Sequence, residues 1–164
     1  MITIANGRDT TYYKGGNHML FYKCLKCGNF VTFLSEKSGC TPTCCGETMT
    51  EIVANTTDAA QEKHVPVVVA KENKVRVSVG SVEHPMTDEH FIEWVILETS
   101  HGYQKKDLKP GDKPEVTFVV GPDDHVRNIY AYCNLHGLWK TEVHGLRASH
   151  EGMFSVDSAW GAIS

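Results

Sequence analysis

The chain has 164 residues, 41% of them aliphatic, aromatic or cysteine and 22% charged. That composition excludes a disordered chain and suits one main domain with a small appendage. A formal charge of -4 offers no basic field for nucleic acid. No stretch reaches the about eighteen consecutive apolar residues of a membrane helix. The start, Met1 to Asp9, lacks the basic-then-apolar pattern of an export signal. A soluble, cytoplasmic protein is therefore expected, bound to neither nucleic acid nor membrane.

Residues 1–19 are polar, rich in Gly, Thr and Asn, and without periodicity, which reads as a loose arm. The six cysteines that follow are uneven, with five between Cys24 and Cys45 and one at Cys133. In a reducing compartment such clustering favours metal ligation over a disulfide framework. Cys24-Leu25-Lys26-Cys27 forms a knuckle at a strand end, and Gly28 can take the positive φ that the turn needs. Cys44-Cys45 supplies two more sulfurs. Neighbouring side chains of a regular strand point to opposite faces, so these two can share one metal only if the backbone bends sharply between them, giving a distorted tetrahedron. Four sulfurs alone suit zinc as well as iron. Cys40 is read as a spare thiol, or as a replacement for Cys44 or Cys45.

From Glu47 the chain turns polar, and Asn55-Thr56-Thr57-Asp58 reads as a linker ending in a helix cap before Ala59. The domain boundaries are accordingly 20–54 for the cysteine domain, 55–144 for the main body and 145–164 for a tail that we leave unassigned. The body has period two. Val75, Val77 and Val79 alternate with Arg76 and Ser78; Ile92, Trp94 and Ile96 alternate with Glu93 and Val95; Val116, Phe118 and Val120 repeat the pattern. Turn signals at His101-Gly102, Lys109-Pro110-Gly111-Asp112 and Gly121-Pro122-Asp123-Asp124 separate these runs. The fold class is all-β: a small metal-knuckle domain followed by an antiparallel, immunoglobulin-like β-sandwich.

Four histidines fall at strand ends and loops. His64 precedes an apolar strand, His84 and His90 bracket the loop Val82 to His90, and His136 stands three residues after Cys133, just before the helix-breaking Gly137. A structural zinc site stops at four ligands, so four imidazoles and one thiolate suit redox iron with an open position better.

On Cys24-Leu25-Lys26-Cys27 with Cys44-Cys45, Glu62-Lys63-His64-Val65-Pro66, Glu83-His84-Pro85-Met86 to His90, and Cys133-Asn134-Leu135-His136-Gly137-Leu138-Trp139, the sequence resembles the desulfoferrodoxins, two-iron superoxide reductases. The resemblance covers about Phe21 to Glu142. It implies a desulforedoxin-like N-terminal domain whose Cys24, Cys27, Cys44 and Cys45 hold one iron. It also implies a neelaredoxin-like catalytic domain in which His64, His84, His90 and His136 are equatorial and Cys133 axial ligands of a second, ferrous in the active form. Lys63 would guide superoxide and Glu62 would ligate the oxidised iron. Rubredoxin or a similar protein would be the electron donor, and the chain would be a homodimer. The sulfur-bound iron is assigned either to electron relay or to folding and dimerising the small domain. Two other readings compete: a zinc-ribbon binding module fused to an inert sandwich, and a non-enzymatic electron carrier with its sixth position closed.

Overall fold

A computed structural model describes residues 19–35, 39–122, 124–143, 146–148 and 154–156, with 147–148 and 154–156 as backbone only. Apart from Met19, the expected N-terminal arm lies outside the described residues, as do Met153 and Trp160 of the tail. The chain divides into two compact units, Met1–Glu51 and Ile52–Ser164.

In the first unit, β1 (Phe21–Lys23) and β2 (Phe30–Thr32) form an antiparallel hairpin around the first cysteine knuckle. β3 (Thr43–Cys44) and β4 (Glu47–Thr48) form a second around Cys44-Cys45, and β5 (Thr50–Glu51) pairs with the other edge of β1. Among the described residues of this unit Phe21, Tyr22, Cys24 and Met49 are buried, with Leu20, Phe33 and Cys44 packed against the cluster of Tyr22, Cys24 and Met49. Phe33 meets Tyr22 edge-on at 5.8 Å between ring centroids. The Tyr22 hydroxyl donates to Glu51 Oε2 at 3.0 Å, which pins β5.

The second unit opens with Asn55, whose backbone N–H donates to Leu138 O and whose amide both donates to Lys140 O (3.0 Å) and accepts from Lys140 N–H (2.8 Å). α1 (Gln61–His64) is a single turn, and its N-cap is Ala60, with no side chain capping it. The cap expected at Asp58 is therefore absent, and the turn is held instead by its connections to the loop after β7. Then come β6 (Pro66–Lys71), β7 (Lys74–Val79), β8 (Ile92–Thr99), β9 (Gly102–Asp107), β10 (Glu115–Val119), β11 (Val126–Cys133) and β12 (Gly137–Glu142). They make two antiparallel sheets, ordered β10-β7-β6 and β12-β11-β8-β9. This is a Greek-key sandwich of three and four strands, immunoglobulin-like, with β9 added to the sheet that holds β8, β11 and β12. In the former tail, β13 (Leu146–Ala148) and β14 (Phe154–Val156) pair antiparallel.

Val75, Val77, Val79, Val116, Phe118 and Val120 of the smaller sheet meet Val95, Leu97, Ile129, Ala131 and Cys133 of the larger one, all at 7% exposure or less. Burying side chains of this size stabilises the fold by about 1.5–3 kcal/mol each. β8 and β11 are buried on both faces, so alternation along β8 does not separate inside from outside: Trp94 and Ile96 lie opposite the Val95–Leu97 face. β9 is exposed along its whole length. It carried no apolar signal, and its place is set by pairing with β8.

Candidate metal centres

Proline and glycine place the first two histidine segments. Pro66 lacks an N–H and pushes Val65 into extended geometry (φ -67, ψ 123), so α1 ends at His64 and β6 begins. After β7, Gly80 turns the chain at φ +83, where a Cβ would lie 2.6 Å from Lys63 O and 2.7 Å from Glu62 O. Its N–H donates to Val65 O, and Val82 N–H donates to Glu62 O at 2.9 Å. The α1 turn and the His84 loop are thus packed backbone on backbone. Any side chain at Gly80 forces them apart, and φ there is strained for L-residues.

His90 sits just before β8. Cys133 ends β11, and His136 lies in the turn to β12, which Gly137 closes at φ +74. The ligand atoms of His64, His84, His90, Cys133 and His136 all lie within 4.8 Å of one another. Donors bound to one ion at about 2.0–2.3 Å lie up to about 4.6 Å apart, so five donors gathered within 4.8 Å come close to the size of a single coordination sphere.

The tautomers agree. His64 Nδ1–H donates to Ala60 O at 2.7 Å and His84 Nδ1–H to Pro85 O at 2.6 Å. A carbonyl can only accept, so Nε2 of each ring keeps its lone pair for a metal. His64 Nε2 lies 3.0 Å from His136 Nδ1, which is itself 3.7 Å from Cys133 Sγ. Nε2 of His84 and of His90 are buried and have no hydrogen-bond partner. Orphaned polar atoms of this kind are costly unless a ligand takes them up.

Electrostatics favour neutral imidazoles. Burial pushes His84 down to about 4. Burial also lowers His64 and His90, and the Lys63 charge adds to both effects. Burial raises the Cys133 thiol, while backbone N–H groups of His136 and Leu135 oppose this, the first at 3.4 Å from Sγ. A metal would displace that proton and keep the N–H···S contacts. Cys133, His64 and His84 are buried, whereas His90 and His136 are partly exposed and Glu62 and Lys63 are exposed. The indole of Trp139 stacks on His64 at 4.8 Å and 22°. The sequence motif contained Trp139 and the sequence placed a glycine at position 80, but neither pattern indicated a role beside a metal ligand.

In the first unit the sulfurs of Cys24, Cys27, Cys44 and Cys45 form a second group, also within 4.8 Å. The Cys27–Cys44 and Cys44–Cys45 separations are 3.6 and 3.9 Å. A tetrahedron with metal–sulfur bonds of about 2.3 Å has edges of about 3.8 Å. Cys45 takes φ +52 and Gly46 φ +77, the sharp bend needed for adjacent cysteines to face one point. Gly28 is at φ +80, and its N–H donates to Cys24 O at 2.9 Å. Backbone N–H groups of the knuckle lower the Cys24 thiol to about 7. Hydrogen bonds and charge from the neighbouring thiols push Cys45 up to about 12. A cation would relieve that crowding of like charges. Cys40 is exposed and stands outside the group.

Residues 56–142 match the model of the family described as Desulfoferrodoxin. The chain is 47% identical over 126 residues to the desulfoferrodoxin of Nitratidesulfovibrio vulgaris, covering 77% of this chain and 98% of that one. The chain belongs to the desulfoferrodoxin family. It is also similar to the superoxide reductase of Pyrococcus abyssi, with 36% identity over 101 residues, covering 50% of this chain and 86% of that one. The crystal structure of the superoxide reductase from Treponema pallidum superposes with a TM-score of 0.66 at 42% identity, covering 76% of this chain and 99% of that chain. Two metal-ligand groups, one of four imidazoles and a thiolate and one of four thiolates, are what this family member carries. Among the described residues no helix is long and apolar enough to cross a membrane.

Proposed function

We propose that this desulfoferrodoxin is a superoxide reductase: superoxide takes up one electron and two protons and leaves as hydrogen peroxide. The observation that carries the reading is the gathering of His64, His84, His90, His136 and Cys133 ligand atoms within 4.8 Å, with two ring nitrogens buried and unpartnered. Five nitrogen and sulfur donors exceed the four of a structural zinc site and fit iron. Iron held by these five residues would supply the electron for that reduction.

The chain's own residues set the conditions. Burial disfavours the charged forms of His84, His64 and His90, and imidazoles that ligate a metal are neutral donors, so the donor set would carry only the thiolate's charge and a divalent ion would keep one net positive charge toward an anion. Cys133 has 0% exposure, so an incoming anion reaches the centre from the side where His90 and His136 meet solvent. Lys63 is exposed close enough to depress His64 and His90. Its ammonium steers superoxide inward on a protein whose net charge is -4 and holds a water from which a proton is delivered. Glu62, its neighbour on α1, supplies a carboxylate to the centre once oxidation has made it more positive. Val82 N–H donates to Glu62 O, and the lack of a side chain at Gly80 leaves room for the backbone oxygens of both residues.

The thiolates of Cys24, Cys27, Cys44 and Cys45 hold a second iron. The electron comes from rubredoxin or a small redox protein of that kind, and the chain works in the cytoplasm as a homodimer. The experiment is a stopped-flow superoxide pulse against the reduced, iron-loaded chain, counting peroxide per electron consumed. One peroxide per electron is expected. Peroxide at half the superoxide consumed with no electron uptake means dismutation, and an iron-loaded chain that ignores superoxide is a carrier; either result overturns the reading.

A further inference from the structure

We infer that Asn134 is a positioning residue, which locks His90 to the thiolate strand by clamping both of its chain neighbours. The inference rests on the metal centre proposed above and concerns how one of its two partly exposed ligands is held in place. Asn134 directly follows Cys133 and is half-buried. Its amide oxygen accepts from Phe91 N–H at 3.0 Å, and its amide nitrogen donates to Glu89 O at 2.9 Å. Its backbone N–H donates to Phe91 O at 3.2 Å. One residue therefore makes three hydrogen bonds to the two residues on either side of His90.

Among the described residues, the His90 backbone itself is tied within its own turn. Thr87 N–H donates to His90 O at 2.9 Å, and His90 N–H donates to Thr87 Oγ1 at 3.2 Å. The turn from Thr87 to Glu89 is exposed, so these bonds shape it without fixing it to the sandwich. His64 and His84 differ: each has a ring Nδ1–H on a carbonyl and is 2% exposed. His90 is partly exposed, and its Nε2 is the buried atom that must reach the centre. The Asn134 clamp joins it to Cys133, so the nitrogen and the sulfur of two remote segments reach the ion as one preset pair. Groups that orient a ligand in this way typically account for about 10 to 100-fold in metal affinity.

The bond pattern sets the requirement on the side chain. Only an amide of this length both accepts from one neighbour and donates to the other. Aspartate keeps the acceptor for Phe91 N–H but turns an oxygen against Glu89 O, and alanine keeps neither side-chain bond.

The test uses the full iron-loaded chain with its four-thiolate iron as an internal reference. Iron release to a chelator is followed in wild type, Asn134→Ala, Asn134→Asp, His90→Ala and the double variant His90→Ala/Asn134→Ala. The thiolate-to-iron charge-transfer band of the five-ligand centre and the rhombicity of its ferric electron paramagnetic resonance are recorded alongside. Asn134→Ala should release iron from the five-ligand centre about tenfold faster and shift both spectra, with the four-thiolate bands unchanged. Asn134→Asp should fall between, and adding Asn134→Ala to His90→Ala should change nothing further. Release and spectra like wild type in Asn134→Ala, or full additivity in the double variant, overturns the inference and leaves the superoxide reductase reading standing. A wild-type chain that takes no iron into the five-ligand centre overturns both. If Asn134→Ala does not fold, the Asn134→Asp comparison within the same cycle decides.

Discussion

Cys24 and Cys44 of the sulfur group are 20 residues apart, in two hairpin turns of a unit whose buried side chains, among the described residues, are Phe21, Tyr22, Cys24 and Met49. His64 and His136 of the five-ligand group are 72 residues apart. They come together with His84, His90 and Cys133 only because two sheets pack over a large apolar core. In the first case the chain closes short loops cheaply and a metal would supply much of the folding energy of the unit. In the second the sandwich has already met the entropy of bringing remote segments together, and the metal meets a preformed site. Two metal-ligand sets are thus built by different means in one chain, one by short local turns and the other by the packing of a sandwich.

The largest expected contrast is between two single sulfurs. Cys133→Ser should abolish superoxide reduction, whereas Cys45→Ser should empty only the four-thiolate site and leave the second-order rate within about twofold of wild type. Pulse radiolysis with metal analysis reads both, and retained activity in Cys133→Ser would remove the thiolate from the centre. Next comes metal removal. Chelated protein should lose amide-exchange protection across β1 to β5 while β7, β8 and β11 keep theirs. Equal loss in both units would erase the distinction between them.

The third expectation concerns pH. The folded value for His84, about 4, lies below its ordinary 6.5, so between these values the unfolded chain binds more protons than the folded one. Stability of the metal-free chain is therefore full above pH 6.5 and falls by about 1.4 kcal/mol per pH unit toward pH 4 from this residue alone. His64 and His90 act in the same direction. Urea unfolding at pH 7 and pH 5 measures the slope, and a flat profile contradicts neutral burial. Lys63→Ala should slow superoxide capture about tenfold at low salt and flatten its ionic-strength dependence. An unchanged rate there counts against steering. Glu62→Ala should have the least effect, leaving the reduction rate nearly intact while changing the ferric spectrum. Collapse of turnover would instead make Glu62 an acid or base in the reaction.

Much of this was readable from residue types. Val75, Val77 and Val79, and Val116, Phe118 and Val120, alternate because one face of their sheet is dry, and their strands follow that pattern. β9, with every residue exposed, has no such pattern, because its place is set by backbone pairing with β8 rather than by burial. The helix cap at Asp58 failed for a related reason: α1 is one turn held by Gly80 and Val82 from outside, so a local capping signal was not what formed it.

By itself the sequence determined the chemistry available: which side-chain types can ligate a metal, where glycine and proline turn the chain, and which half-dry segments are strands. Residue type fixes softness, charge and backbone freedom, and these are local properties. Only the tertiary structure decided that Nε2 of His64 and Nδ1 of His136 stand 3.0 Å apart, that Gly80 lies under Glu62 and Lys63, and that Asn134 spans His90. Those are distances between segments far apart in the chain, and they follow from how the sandwich packs.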